Sequence, residues 1–152
     1  MCKIVNAKIY LQNMILHFFD LVCPKIFLML RKKILVADDN AGIVDVMKMV
    51  FENEGFDVIT TLNGNNILKL CEEKPDIIFL DVWMSGVDGN DICKQIKTND
   101  GFNNIPVIIF SASRKIKQIA IDCGADDFLS KPFELKQLLS ITHKYTAPGE
   151  II

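Results

Sequence analysis

Asp81 stands directly after four large apolar residues, Ile77-Ile78-Phe79-Leu80, and ahead of a segment holding Ser85, Gly86 and Gly89. A short apolar run that follows a proline and ends at an acid has the character of a fully buried strand. The carboxyl ends of such strands are where open α/β sheets bind ligands. A carboxylate placed there can attack phosphorus and form an aspartyl phosphate; taken alone, Asp81 could equally do no more than end a strand. Other reactive side chains sit at comparable places. Asp38 and Asp39 follow Ile34-Leu35-Val36-Ala37, Ser111 follows Val107-Ile108-Ile109-Phe110, and Lys131 follows Asp127-Phe128-Leu129 with one residue between. On parallel strands these ends share one edge. Three carboxylates crowded together resist joint ionisation, and Mg²⁺ suits them, being a hard ion that takes carboxylates, phosphate oxygens and waters. It would also neutralise charge on a transferring phosphoryl group. Lys131 could pair with a phosphate oxygen as a point charge, Ser111 could donate to another, and the small Ala112 leaves access to Asp81.

The elements that must position these groups follow from hydrophobic pattern. From Lys33 onward five short apolar strands alternate with five helical stretches. The helices carry Ile43, Val44, Met47, Val50 and Phe51, then Ile67, Leu68 and Cys71, then Asp91 to Lys97, then Ile116, Ile119 and Ala120, then Leu135, Leu138, Leu139 and His143. Gly55 and Gly124 end the first and fourth. A βα unit repeated five times implies a parallel sheet with right-handed crossovers and helices on both faces.

The four strand-end motifs, in this order and context, resemble the receiver domain of two-component response regulators over about Lys32 to Tyr145. The resemblance implies a flavodoxin-like (βα)5 fold with strand order 2-1-3-4-5. It implies that Asp81 is the phosphoacceptor, and that Asp38 and Asp39 are the Mg²⁺-binding acids, joined by Asp81 and the backbone carbonyl of Trp83. It implies a catalytic Lys131 ahead of a cis peptide at Pro132, with Ser111 and Phe128 as the switch pair. The implied function is a signalling switch or phosphorelay intermediate. It would take its phosphoryl group from a sensor histidine kinase or phosphotransfer protein and pass the signal to a protein target, around Ile116, Ile119, Phe128 and Leu135. In that reading the chain is not an enzyme beyond its own phosphorylation and dephosphorylation. The sequence departs from the family at Ser85, where proline is usual, and the expectation is a looser loop. Phe128 replaces the commoner Tyr, and the bulky Trp83 is placed to shield an acyl phosphate. Two rivals differ in class. A phosphorylation-independent binding module would typically have lost the acceptor or the acid pair. An aspartate-nucleophile phosphotransferase would carry its nucleophile in a D-x-D motif after the first strand. A nicotinamide enzyme is disfavoured because no G-x-G-x-x-G follows the first strand.

The totals set the remaining bounds. The 152 residues suit one domain. A net charge of −2 and the lack of a basic stripe leave no expectation of direct nucleic-acid binding. Five scattered cysteines without a C-x-x-C pair fit neither a disulfide framework nor a zinc site, and point to a reducing, cytoplasmic setting. The chain divides into an extension at 1–30, a receiver-like domain at 31–146 and a short tail at 147–152, which leaves no room for a DNA-binding output domain and implies the stand-alone type. In the extension 21 of 30 residues are apolar, yet Gln12, Asn13, His17, Asp20, Pro24 and Lys25 interrupt every window long enough to span a membrane. An amphipathic appendage, a weak anchor and a non-native upstream start all remain open, and residues 1–28 are expected to be dispensable; no membrane partner is expected.

Overall fold

The computed structural model describes residues 31–147. The readings made for the extension, including Cys2, Cys23 and His17, and for most of the tail lie outside the described residues.

Five strands form one parallel sheet: β1 (Lys33–Ala37), β2 (Asp57–Thr61), β3 (Ile77–Asp81), β4 (Val107–Ser111) and β5 (Asp127–Ser130). Their spatial order is β2-β1-β3-β4-β5, the flavodoxin-like order expected. The helices are α1 (Ala41–Asn53), α2 (Ile67–Cys71, entered through a 3₁₀ turn at Gly64–Asn66), α3 (Gly89–Thr98), α4 (Ile116–Cys123) and α5 (Leu135–Thr146). A two-residue hairpin pairs Trp83–Met84 with Val87–Asp88 between β3 and α3.

The strand residues alternate between two packed layers, as a period of two requires. Leu35, Ala37, Ile78, Leu80, Val107 and Ile109 face one layer, closed by Ile67 and Cys71 of α2, Ile92, Cys93 and Ile96 of α3, and Ile116, Ala120 and Cys123 of α4. Ile34, Val36, Ile77, Phe79, Ile108, Phe110 and Leu129 face the other, under Val44, Met47 and Phe51 of α1 and Leu138 of α5. Both faces of β1, β3 and β4 are thus covered, which is why these strands read as unbroken apolar runs.

The turns are set by local chemistry. The Asn40 side chain accepts the Ile43 N–H at 3.3 Å and starts α1 directly after the acid pair. Asp88 caps α3 in the same way, accepting the Asn90 N–H at 2.8 Å. Gly124, at φ 76°, closes α4 in the left-handed region that favours glycine. Cys71, Cys93 and Cys123 are buried free thiols, and burial pushes Cys71 up to about 11, away from the reactive thiolate. Among the described residues, no helix is long and apolar enough to cross a membrane.

Candidate functional site

Parallel strands bring their carboxyl ends to one edge, and the topology determines what meets there. β1 and β3 are neighbours, with Ala37 opposite Leu80 in register, so Asp38 and Asp81 emerge side by side. β4 pairs with β3 on the other side, Asp81 opposite Phe110, which places Ser111 one step further along. β5 ends at Ser130, paired with Ser111, and Lys131 follows immediately. The Lys131 N–H donates to the Ser111 carbonyl at 2.9 Å, and the Lys131–Pro132 peptide is cis.

Asp38, Asp39 and Asp81 each offer a carboxylate oxygen within 4.8 Å of the others. Asp38 and Asp81 are only 1% and 5% exposed, and Ser111 2%. Such burial is tolerable for carboxylates only when they are paired and hydrogen-bonded. Lys131 supplies the pairing: its Nζ donates to Asp38 Oδ2 and to Asp81 Oδ1 at 2.8 Å, the first contact being 2.6 Å. The same ammonium lies 4.5 Å from the centre of the Phe110 ring. Backbone groups complete the set, the Asn40 N–H reaching Asp38 Oδ1 at 2.8 Å and the Trp83 N–H reaching Asp81 Oδ2 at 3.1 Å.

Asp81 and Asp39 differ in electrostatics. Burial raises the Asp81 carboxyl above its ordinary value, Lys131 pulls it back, and the nearby Asp38 charge raises it again. Asp39 is exposed and held below its ordinary value, chiefly by the Ser85 hydroxyl and then by the Ser85 N–H. Asp38, Asp39, Asp81, Ser111 and Lys131, with Trp83, Ala112 and Ser113, line one cavity of about 430 Å³. Its donors are hard oxygens on convergent carboxylates, a set that fits Mg²⁺. Phe128 is half-buried against the α2–α3–α4 layer, and the Trp83 side chain is 63% exposed.

Two expectations require correction. Ser85 does not loosen its loop: its N–H and Oγ–H both donate to Asp39 Oδ2, at 2.9 and 2.7 Å, and tie the hairpin to the β1 end. A proline there could make neither bond. Leu135 does not share a face with Ile116, Ile119 and Phe128. It lines a cavity with Ile43, Val46 and Met47 of α1, on the other layer. The reason is helical spacing: Leu135 is three residues from Leu138, which packs in the α1 layer.

Gly89 has a packing role that its place in a turn segment does not reveal. A Cβ added there would collide with the Asp81 carbonyl oxygen and lie 2.9 Å from Val82 Cα. The Gly89 N–H also donates to the Val82 carbonyl at 2.9 Å. Backbone therefore packs on backbone directly behind Asp81, and the only signal in the sequence is that Gly89 is one of two glycines in the segment after β3. Gly89→Ala is expected to destabilise the domain by about 2 kcal/mol, the usual scale of forced overpacking. A denaturant midpoint unchanged from the parent would contradict this.

The response regulator receiver domain family model matches residues 34–143. Among solved structures, the signal receiver domain of a signal transduction histidine kinase from Syntrophus aciditrophicus is 26% identical, with a TM-score of 0.72 over 80% of this chain and 94% of that one. The chemotaxis response regulator CheY4 of Vibrio cholerae is 24% identical, with a TM-score of 0.70 over 76% and 98%. The receiver domain of a sensor histidine kinase from Pseudomonas aeruginosa is 22% identical, with a TM-score of 0.69 over 76% and 97%; that protein carries a magnesium ion coordinated in its active site cleft. The last two likenesses establish a shared fold.

Proposed function

The chain belongs to the response regulator receiver domain family, and from that premise we propose that Asp81 accepts a phosphoryl group from a sensor histidine kinase or phosphotransfer protein, making the domain a signalling switch. The observation that carries this reading is the convergence of Asp38, Asp39 and Asp81 in one open cavity, with the Lys131 ammonium paired to Asp38 and Asp81. An Asp81 carboxylate oxygen attacks phosphorus, the new P–O bond forms as the donor's bond to phosphorus breaks, and the donor leaves with that bond's electron pair. Lys131, already within 2.8 Å of Asp81, then faces a phosphoryl oxygen. The Ser111 hydroxyl donates to another. Asp38, Asp39, Asp81 and the Trp83 carbonyl would hold Mg²⁺. The ion, when bound, offsets the negative charge that builds up on the transferring group. In this reading the chain turns over no substrate of its own beyond this transfer and the loss of the phosphoryl group.

The output we propose is a repacking of the edge made by α4, β5 and α5. Ser111 moves toward the phosphoryl group and Phe128, half-buried one strand away, takes the space released. A ligand shifts such an equilibrium only through contacts that differ between the two states, and the Ser111 and Lys131 contacts differ in that way. A downstream protein would read this edge. Amide chemical shifts recorded with Mg²⁺ and beryllofluoride test the proposal. The expected result is change at Asp81, Ser111 and Lys131 that extends to Ile119 and Phe128. Change confined to the loops around Asp81 would make the domain a phosphoryl carrier without a conformational output, and no change at all would remove the phosphoacceptor reading.

A further inference from the structure

Ser85 is the residue that restrains Asp39. Asp38 is held by Lys131 and the Asn40 N–H, and Asp81 by Lys131 and the Trp83 N–H. Asp39 lies on the exposed side of the cluster, and its Oδ2 receives both Ser85 donors, N–H and Oγ–H. Both bonds fall on Oδ2, so Oδ1 takes neither.

The turn explains how one residue can do this. Met84 pairs with Val87 across the hairpin, leaving Ser85 and Gly86 as its two corner residues. Gly86 sits at φ 81°, the left-handed geometry that the second corner of a type II turn requires. Proline suits the first corner of such a turn, but it has no N–H and no hydroxyl. Serine there gives up some backbone stiffness and gains two donors aimed at a carboxylate 46 positions earlier in the chain.

We propose that Ser85 is a positioning residue for divalent cation binding: it locks the Asp39 carboxylate in one orientation, with Oδ1 presented to the metal, before the metal arrives. The inference rests on the metal-binding reading of Asp38, Asp39 and Asp81. An exposed carboxylate left to rotate must be ordered when it binds, and hydrogen bonds to its distal oxygen supply that order in advance. Ser85 does not touch the metal; it acts through Asp39.

Calorimetric titration of Mg²⁺ at fixed ionic strength tests this on the full chain. Ser85→Ala keeps the N–H and loses the hydroxyl; affinity is expected to fall by about tenfold, the lower end for residues that orient metal ligands. Ser85→Pro loses both donors and is expected to fall further. Ser85→Thr keeps both and is expected to recover affinity to within about twofold of the parent. Asp39→Ala defines the floor. The Asp39 carboxyl ¹³C resonance, followed without metal, should move in Ser85→Ala and Ser85→Pro and return in Ser85→Thr, which a merely structural role would not produce. Unchanged or tighter binding by Ser85→Ala, with the parent binding normally, would overturn the role of Ser85 alone and leave the acid cluster standing. A parent that binds no Mg²⁺ would overturn both.

Discussion

Lys131→Ala is expected to lower stability by about 3 kcal/mol, the lower end of what removing one partner of a buried ion pair costs. The reason is the arrangement beneath it. Asp38 and Asp81 are almost fully buried, and the Lys131 side chain, itself 18% exposed, is their shared cation. Without it two neighbouring carboxylates repel each other with little solvent to screen them. A loss of that size corresponds to a fall of about 10 °C in melting temperature for a domain of this length. The Lys131→Ala/Asp81→Asn double variant should recover part of the loss, because one of the two uncompensated charges is gone, so the two substitutions should be strongly non-additive. Lys131→Ala alone should also take up phosphoryl groups more slowly, since the cation facing the phosphoryl oxygens is absent. Melting within a degree or two of the parent would mean that solvent already stabilises these acids.

Asp81→Asn is expected to abolish phosphoryl uptake. The amide keeps the shape of the side chain and can still meet the Trp83 N–H, but it has no carboxylate to form an acyl phosphate. Asp38 and Asp39 are not expected to substitute. Asp81 alone ends the central strand β3, whereas Asp38 and Asp39 follow β1. Incubation with Mg²⁺ and acetyl phosphate, read by intact mass, should show one added phosphoryl group on the parent and none on the variant. Equal labelling of both would remove Asp81 from the role proposed for it.

The parts of this molecule that could be read in advance are those governed by local rules. Each central strand is buried on both faces, so Ile34 to Ala37, Ile77 to Leu80 and Val107 to Phe110 appear as unbroken apolar runs. Where a run stops at Asp38, Asp81 or Ser111, the sheet edge is marked. Parallel pairing then dictates which ends converge, and Asp38, Asp39 and Asp81 could be grouped without coordinates. What stayed hidden depends on contacts that leave no periodic trace. Strands of two residues carry no alternation to detect, so the hairpin at Trp83–Met84 and Val87–Asp88 has the sequence character of a loop. The Ser85–Asp39 bonds join residues 46 apart, and the sequence offered only the missing proline, which suggested looseness where the structure has a tie. Gly89 looked like turn chemistry, whereas its lack of a side chain lets the start of α3 press against the Asp81 backbone. Leu135 is expected on the partner-reading face with Ile116, Ile119 and Phe128, although its three-residue spacing from Leu138 places it beside α1.

The measurement that bears most directly on the central claim is peptide mapping of the full chain after incubation with Mg²⁺ and acetyl phosphate, with the acyl phosphate trapped chemically before digestion. The account predicts a single modified residue, Asp81. A modification at Asp38, at Asp39 or on a serine, with Asp81 intact, would contradict it.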